Sequence, residues 1–137
     1  MEKLNFDTGV KRYRINGGGV LTFHPGDPNL YARFLEAADR IRQVEKSLEA
    51  PQDGLQALCR ADGEIKQQLA WVFGPGNDFD AILGGVNLLA VAGNGQRVIT
   101  NLLQTLMPVL TEGARVCAGQ QAEAAAEKAR ARRQSQC

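Results

Sequence analysis

At 137 residues, with 16 Lys and Arg against 15 Asp and Glu, the chain carries a formal net charge of +1. That length suits one domain with a modest core, and the balanced charge excludes a global pull towards nucleic acid or acidic lipid. The opening MEKLNFDTGVKRYRING is polar and lacks the apolar run of a secretory signal, and no apolar segment is long enough to predict a membrane span. Cys59, Cys117 and Cys137 stand apart, with no CxxC or Cys/His cluster, so no zinc site is expected. They read as buried or incidental thiols of a reducing cytosol.

Leu4-Asn5-Phe6-Asp7 opens in alternation, and Thr8-Gly9 breaks it. VKRYRI and VLTFH read as two strands, giving a β-hairpin over 10–24. Asn16 and Gly17, with Gly18 and Gly19, tolerate the positive φ of a tight turn. Tyr13 and Ile15 share one face of the first strand, and Leu21 and Phe23 one face of the second. Lys11, Arg12 and Arg14 read as a charged edge that discourages strand addition.

His24-Pro25-Gly26-Asp27-Pro28 turns the chain into a helix over about 28–50. Asp27 suits the N-cap and Pro28 the first helical position, where a missing N–H costs nothing. Leu30, Phe34, Ala37, Ile41, Val44 and Leu48 form a heptad seam, Glu36 and Arg40 make an i,i+4 pair, and Pro51 ends the helix. A second seam, Leu55, Leu58, Asp62, Ile65, Leu69 and Val72, predicts a helix over about 53–73. The two helices form an antiparallel hairpin with its turn near 50–53. Gly54 and Gly63 weaken the second helix, which is expected to start late or break near Asp62-Gly63. Trp71 and Phe73 close it before Gly74-Pro75-Gly76. Asn77 or Asp78 caps a short helix over about 78–84, and Gly84-Gly85 ends it. The stretch 86–92 is too short for periodicity to separate a helical turn from a buried extended segment.

A long helix is predicted over about 96–118. At 100° per residue, Val98, Ile99, Leu102, Leu103, Leu106, Met107, Val109 and Leu110 fall on an arc of about 180°. A core-facing stripe needs only about 100°. Pro108 lies on the polar side, where water replaces its lost bond to the Gln104 carbonyl, and a kink there would bend the helix around its apolar face. Beyond Gly119 the sequence is helix-forming with almost no apolar stripe, which predicts a charged, fraying tail over 120–137 after a single domain over 1–119. The fold class is α+β, mainly α.

No catalytic constellation stands out. His24 is the one histidine and sits in a turn with no nucleophile beside it. Neither Ser47 nor Ser135 lies in a GxSxG elbow. Asn16–Gly19 is explained by the hairpin. Gly93-Asn94-Gly95 precedes a helix but matches no phosphate-binding pattern. The tail carries Lys128, Arg130, Arg132 and Arg133, yet Glu123 and Glu127 accompany them and no aromatic residue is interleaved for base stacking. No cofactor or metal is expected, and nucleic acid is not the expected partner.

Several stretches, in order, resemble a family of phage tail assembly chaperones. They are Phe6-Asp7-Thr8-Gly9, Arg14-Ile15-Asn16-Gly17, Leu21-Thr22-Phe23-His24-Pro25-Gly26-Asp27-Pro28-Asn29, Val72-Phe73-Gly74, Asn101-Leu102-Leu103 and Leu106-Met107-Pro108, with an Ala/Arg/Lys-rich end. His24 stands where the family pattern has Asn. The resemblance implies a non-enzymatic protein of the host cytoplasm that binds and solubilises the tape measure protein and helps tail-tube subunits assemble around it. The tail tube protein and a second copy of the chain are further candidate partners. The competing expectations are a structural or tail-completion component retained in the virion, and a small nucleic-acid-binding protein using the basic tail. A helix-binding chaperone needs an apolar face for an amphipathic helix. The expected partner face is Val98, Leu102, Leu103, Leu106, Met107, Val109 and Leu110. One margin of the arc, either Val98, Leu102 and Val109 or Leu103 and Met107, should pack inward and leave the other free.

Overall fold

The computed structural model describes residues 1–49 and 54–135. Pro51, the expected 50–53 turn and Cys137 lie outside them. The chain is an N-terminal hairpin on a helical body, mainly α, as the patterning predicts. Strands β1 (Lys11–Arg14) and β2 (Val20–Phe23) pair antiparallel with Tyr13 opposite Leu21 and Arg12 opposite Thr22. Asn16 (φ 51°) and Gly17 (φ 72°) occupy the two left-handed positions of the turn, closed by the Gly18 N–H donating to the Ile15 carbonyl at 2.8 Å. That is the turn whose twist matches paired strands.

Helix α1 spans Pro28–Lys46 and tightens into a 3₁₀ turn at Ser47–Glu49. Asp27 caps it, accepting from the Asn29 N–H, with Pro28 at the first position. Helix α2 spans Leu55–Phe73. The two run antiparallel. Near the start of α1 Arg33 donates to the Val72 carbonyl at the end of α2, and further along Arg40 reaches Gln68 and lies 4.8 Å from the Trp71 ring centre. The α1 seam is as spaced: Leu30, Phe34, Ala37 and Ile41 are buried.

The α2 seam is corrected at its start. Leu55 is exposed and Ala61, rather than Leu55, joins Ile65, Leu69 and Val72 in the core. The helix runs unbroken through Gly63, because packing on α1 outweighs a propensity cost of about 1 kcal/mol. Asp62, which interrupts the seam, turns aside to accept from the Leu88 N–H at 2.8 Å.

Helix α3 is one turn, Phe79–Ile82, capped by Asp78. The 86–92 stretch is not helical. It makes tight turns that bury Leu88 and Leu89, then an antiparallel bridge between Val91 and Arg97. Helix α4 spans Val98–Ser135 and continues through Pro108, Gly113 and Gly119 without interruption. Pro108 is on its exposed side, where the freed Gln104 carbonyl faces water. The core gathers Leu21 and Phe23 from β2, the α1 and α2 seams, Phe79, Ile82, Leu88 and Leu89, and Ile99, Leu102, Leu106 and Leu110 from α4.

Among the described residues, one polar side chain is buried in this core. Asn77, 7% exposed, lies alongside β2. Its Oδ1 accepts from the Thr22 N–H at 2.9 Å, and its Nδ2 donates to the Thr22 carbonyl at 2.9 Å and to the Phe73 carbonyl at 2.8 Å. The amide thus completes the β2 edge as a neighbouring strand would, and ties it to the last turn of α2. Phe23 stacks on Tyr13 and meets Phe73 edge-on beside it. Asn77→Ala strands three backbone groups and is expected to cost about 2–3 kcal/mol, read from urea unfolding. A loss under about 0.5 kcal/mol would mean the staple contributes no more than a solvated contact.

Candidate functional site

The turn at 24–28 is set by side chains that accept from the N–H two residues on. The His24 Nδ1 accepts from the Gly26 N–H at 2.9 Å, and Asp27 then does the same with Asn29. This is the geometry of an Asx-turn. It gives a physical reason for His at a place where the resembled pattern has Asn, since either side chain offers an acceptor at that reach. Asp7, Asp78, Asn87 and Asn94 make the same two-residue bond.

Helix α4 crosses this turn in near contact. A Cβ on Gly113 would overlap the Pro25 carbonyl oxygen, so only glycine lets the two backbones meet. On the other side of the turn, Gly9 (φ 83°) leaves room for the His24 ring, whose Nε2 would lie 2.5 Å from a Cβ there. The elements bound a groove of about 800 Å³. Its walls are Gly9, Lys11 and Tyr13, the 24–28 turn, and Val109, Glu112, Val116 and Cys117 of α4. Neither this groove nor its glycine contacts follow from helix or strand periodicity.

The apolar arc of α4 divides by burial. Leu102, Leu106 and Leu110, with Ile99, sit in the core, so a partner cannot reach them in the folded chain. Val98, Leu103 and Val109 are half-buried against that core. Met107 is 38% exposed. Both margins therefore pack partly inward, rather than one packing and the other standing free, and the open part of the arc is at Met107. Of the motif residues, Asn16, Gly17, Pro25, Asp27 and Pro28 shape the turns, Phe23 is core, and Pro108 faces solvent.

The start of α4 offers no cradle for an anion. The Val98 and Ile99 N–H groups donate to the Ala90 and Leu88 carbonyls at 2.9 and 2.8 Å, and the Asn94 Oδ1 takes the Gln96 N–H. Arg97 bonds Glu45 of α1 at 3.1 Å. One ionic cluster stands out behind α2. The Lys66 ammonium bonds Asp62 at 2.9 Å, Asp80 at 2.8 Å and the Val86 carbonyl at 3.1 Å. Burial pushes its pKa down, but the two carboxylates outweigh that and hold it above the ordinary lysine value. Its bonds to Asp80 and to the Val86 carbonyl join α2 to the segments after it, so its role is to fix α3 and the start of the 86–90 turns. The i,i+4 spacing of Asp62 and Lys66 was readable in the sequence; Asp80 was not. Among the described residues, no group of three His, Cys, Asp or Glu side chains could hold a metal ion, and no helix is long and apolar enough to cross a membrane.

Comparison with protein-family models, with curated proteins and with solved structures gives no match.

Two outcomes test this local chemistry. His24→Asn should keep stability within about 0.5 kcal/mol, whereas His24→Ala should lose about 1 kcal/mol with the acceptor; equal losses in urea unfolding would contradict the Asx-like role. The raised Lys66 pKa stabilises the fold below the ordinary lysine value of about 10.4, and that contribution is lost as pH rises through the folded value. The stability difference between the parent and Lys66→Met should therefore be constant at neutral pH and shrink above about pH 10.4. A difference independent of pH would oppose it.

Proposed function

We propose that the chain is a non-enzymatic tail assembly chaperone, acting in the host cytoplasm, that keeps the long helical tape measure protein soluble while the tail tube assembles. The reading rests on the ordered N-terminal motifs and on one structural observation: α4 is twice as long as α1 or α2. A helix of 38 residues spans about 57 Å. Its side chains are exposed throughout 118–133.

The face open to a helical client begins at Met107 and continues by helical spacing through Ala114, Ala118, Ala122, Ala125 and Ala129. These positions fall within an arc of about 100°. Alanine lets a second helix approach closely, and Met supplies an adaptable apolar contact. Leu102 and Leu106 are unsuitable probes because they hold the core.

Met107→Glu combined with Ala118→Glu, both on the outer face, tests the reading. Coexpressed with the tape measure protein, the double variant should leave about tenfold less client in solution, the effect of about 1.4 kcal/mol. Its own melting temperature should stay within a few degrees of the parent, as expected for surface changes. A client that stays soluble with the variant, or with no chaperone at all, would defeat the proposal.

A further inference from the structure

The hairpin has two outer edges, and among the described residues only one is closed. Asn77 bonds both the N–H and the carbonyl of Thr22, so these groups point away from β1. Thr22 pairs with Arg12. In an antiparallel ladder, the residue opposite such a position also turns its backbone groups outward. The N–H and carbonyl groups of Arg12, and of Arg14 two residues on, therefore line an open edge of β1. The groove described above adjoins β1, which gives it Lys11 and Tyr13, and its other walls are α4 and the 24–28 turn that continues β2.

The chain also carries a segment fitted to such an edge. Residues 1–8 form no regular structure and are exposed throughout, with Leu4 at 90% and Phe6 at 82%. Two large apolar side chains spaced by two residues share one face of a strand. The arm is rooted at Gly9, which is itself a wall of the groove.

We infer that residues 1–8 add as a strand to β1 of a second copy and set Leu4 and Phe6 into that copy's groove. Because each arm leaves beside its own groove, two copies related by a two-fold axis exchange arms reciprocally. The main chain supplies hydrogen bonds to Arg12 and Arg14, and the alternate side chains supply apolar contact with Tyr13, Val109 and Val116. Charge favours the pairing. Lys11, Arg12 and Arg14 have no carboxylate partner among the described residues, and the arm, neutral overall, brings the carboxylates of Glu2 and Asp7. Leu4 and Phe6 of both arms, with the groove surface they cover, remove on the order of 1,200 Å² from water, the lower bound of stable interfaces.

The arm lies outside the core, so its variants keep the fold. Light scattering on the full chain should give a dimer mass. Leu4→Glu with Phe6→Glu should give a monomer of unchanged melting temperature, weakening association at least about a hundredfold. Position is read separately. In a Cys59→Ser, Cys137→Ser background, Phe6→Cys should form a disulfide with Cys117 of the other copy on mild oxidation, seen as a covalent dimer on a non-reducing gel. A parent that is monomeric at all concentrations, a dimer indifferent to the arm variant, or a position-6 disulfide to Cys117 within one chain would each overturn the inference.

Discussion

The fold depends on a side-chain amide standing in for a β-strand. A two-stranded hairpin is marginal in water on its own, and among the described residues no third strand joins this one. Asn77 supplies the missing neighbour at Thr22 and anchors the hairpin to the Phe73 carbonyl. Tyr13, Phe23, Phe73 and Phe79 then form a continuous run of ring contacts at 4.8, 5.1 and 5.6 Å. Polar anchoring sets the register and aromatic burial supplies the driving force. Neither would hold the hairpin alone, because an unpaired amide in that position would be costly and unpinned rings could slide along a flat sheet.

Loop segments are fastened by the same strategy. Side chains bond backbone groups where a regular ladder is lacking: Asp62 on Leu88, Asn87 on Leu58, Arg33 on Val72. Among the described residues no buried side-chain nitrogen or oxygen is left without a partner. A chain of this size has a modest apolar core, so the irregular stretches between α2 and α4 cannot rely on burial alone. Leu88 and Leu89 are buried because the backbone around them is held, and the backbone is held partly because they are buried.

Periodicity made the regular elements legible. The α1 seam, its Asp27 cap and the Asn16-Gly17 turn follow from local rules that act over a few residues. What lies outside those rules was not legible. Asn77 reads as a helix cap beside Asp78, yet its partners are 55 residues away at Thr22. Gly113 reads as a weak point of a helix, and only the crossing of the Pro25 turn shows why a side chain is excluded. The apolar arc of α4 was visible as a whole, but its division into a buried centre, half-buried margins and an open Met107 depends on where α1 and the 88–89 turn lie. Leu4 and Phe6 alternate plainly; that they stand uncovered by the described residues is a tertiary fact.

Beyond its crossing of the Pro25 turn at Gly113, α4 runs on for 22 residues to Ser135, which makes it a lever. That length is about 33 Å, so a tilt of only about 10° at the crossing sweeps the far end through about 6 Å. A readjustment of the 24–28 turn that tilted this crossing would be magnified at the distal end in that proportion.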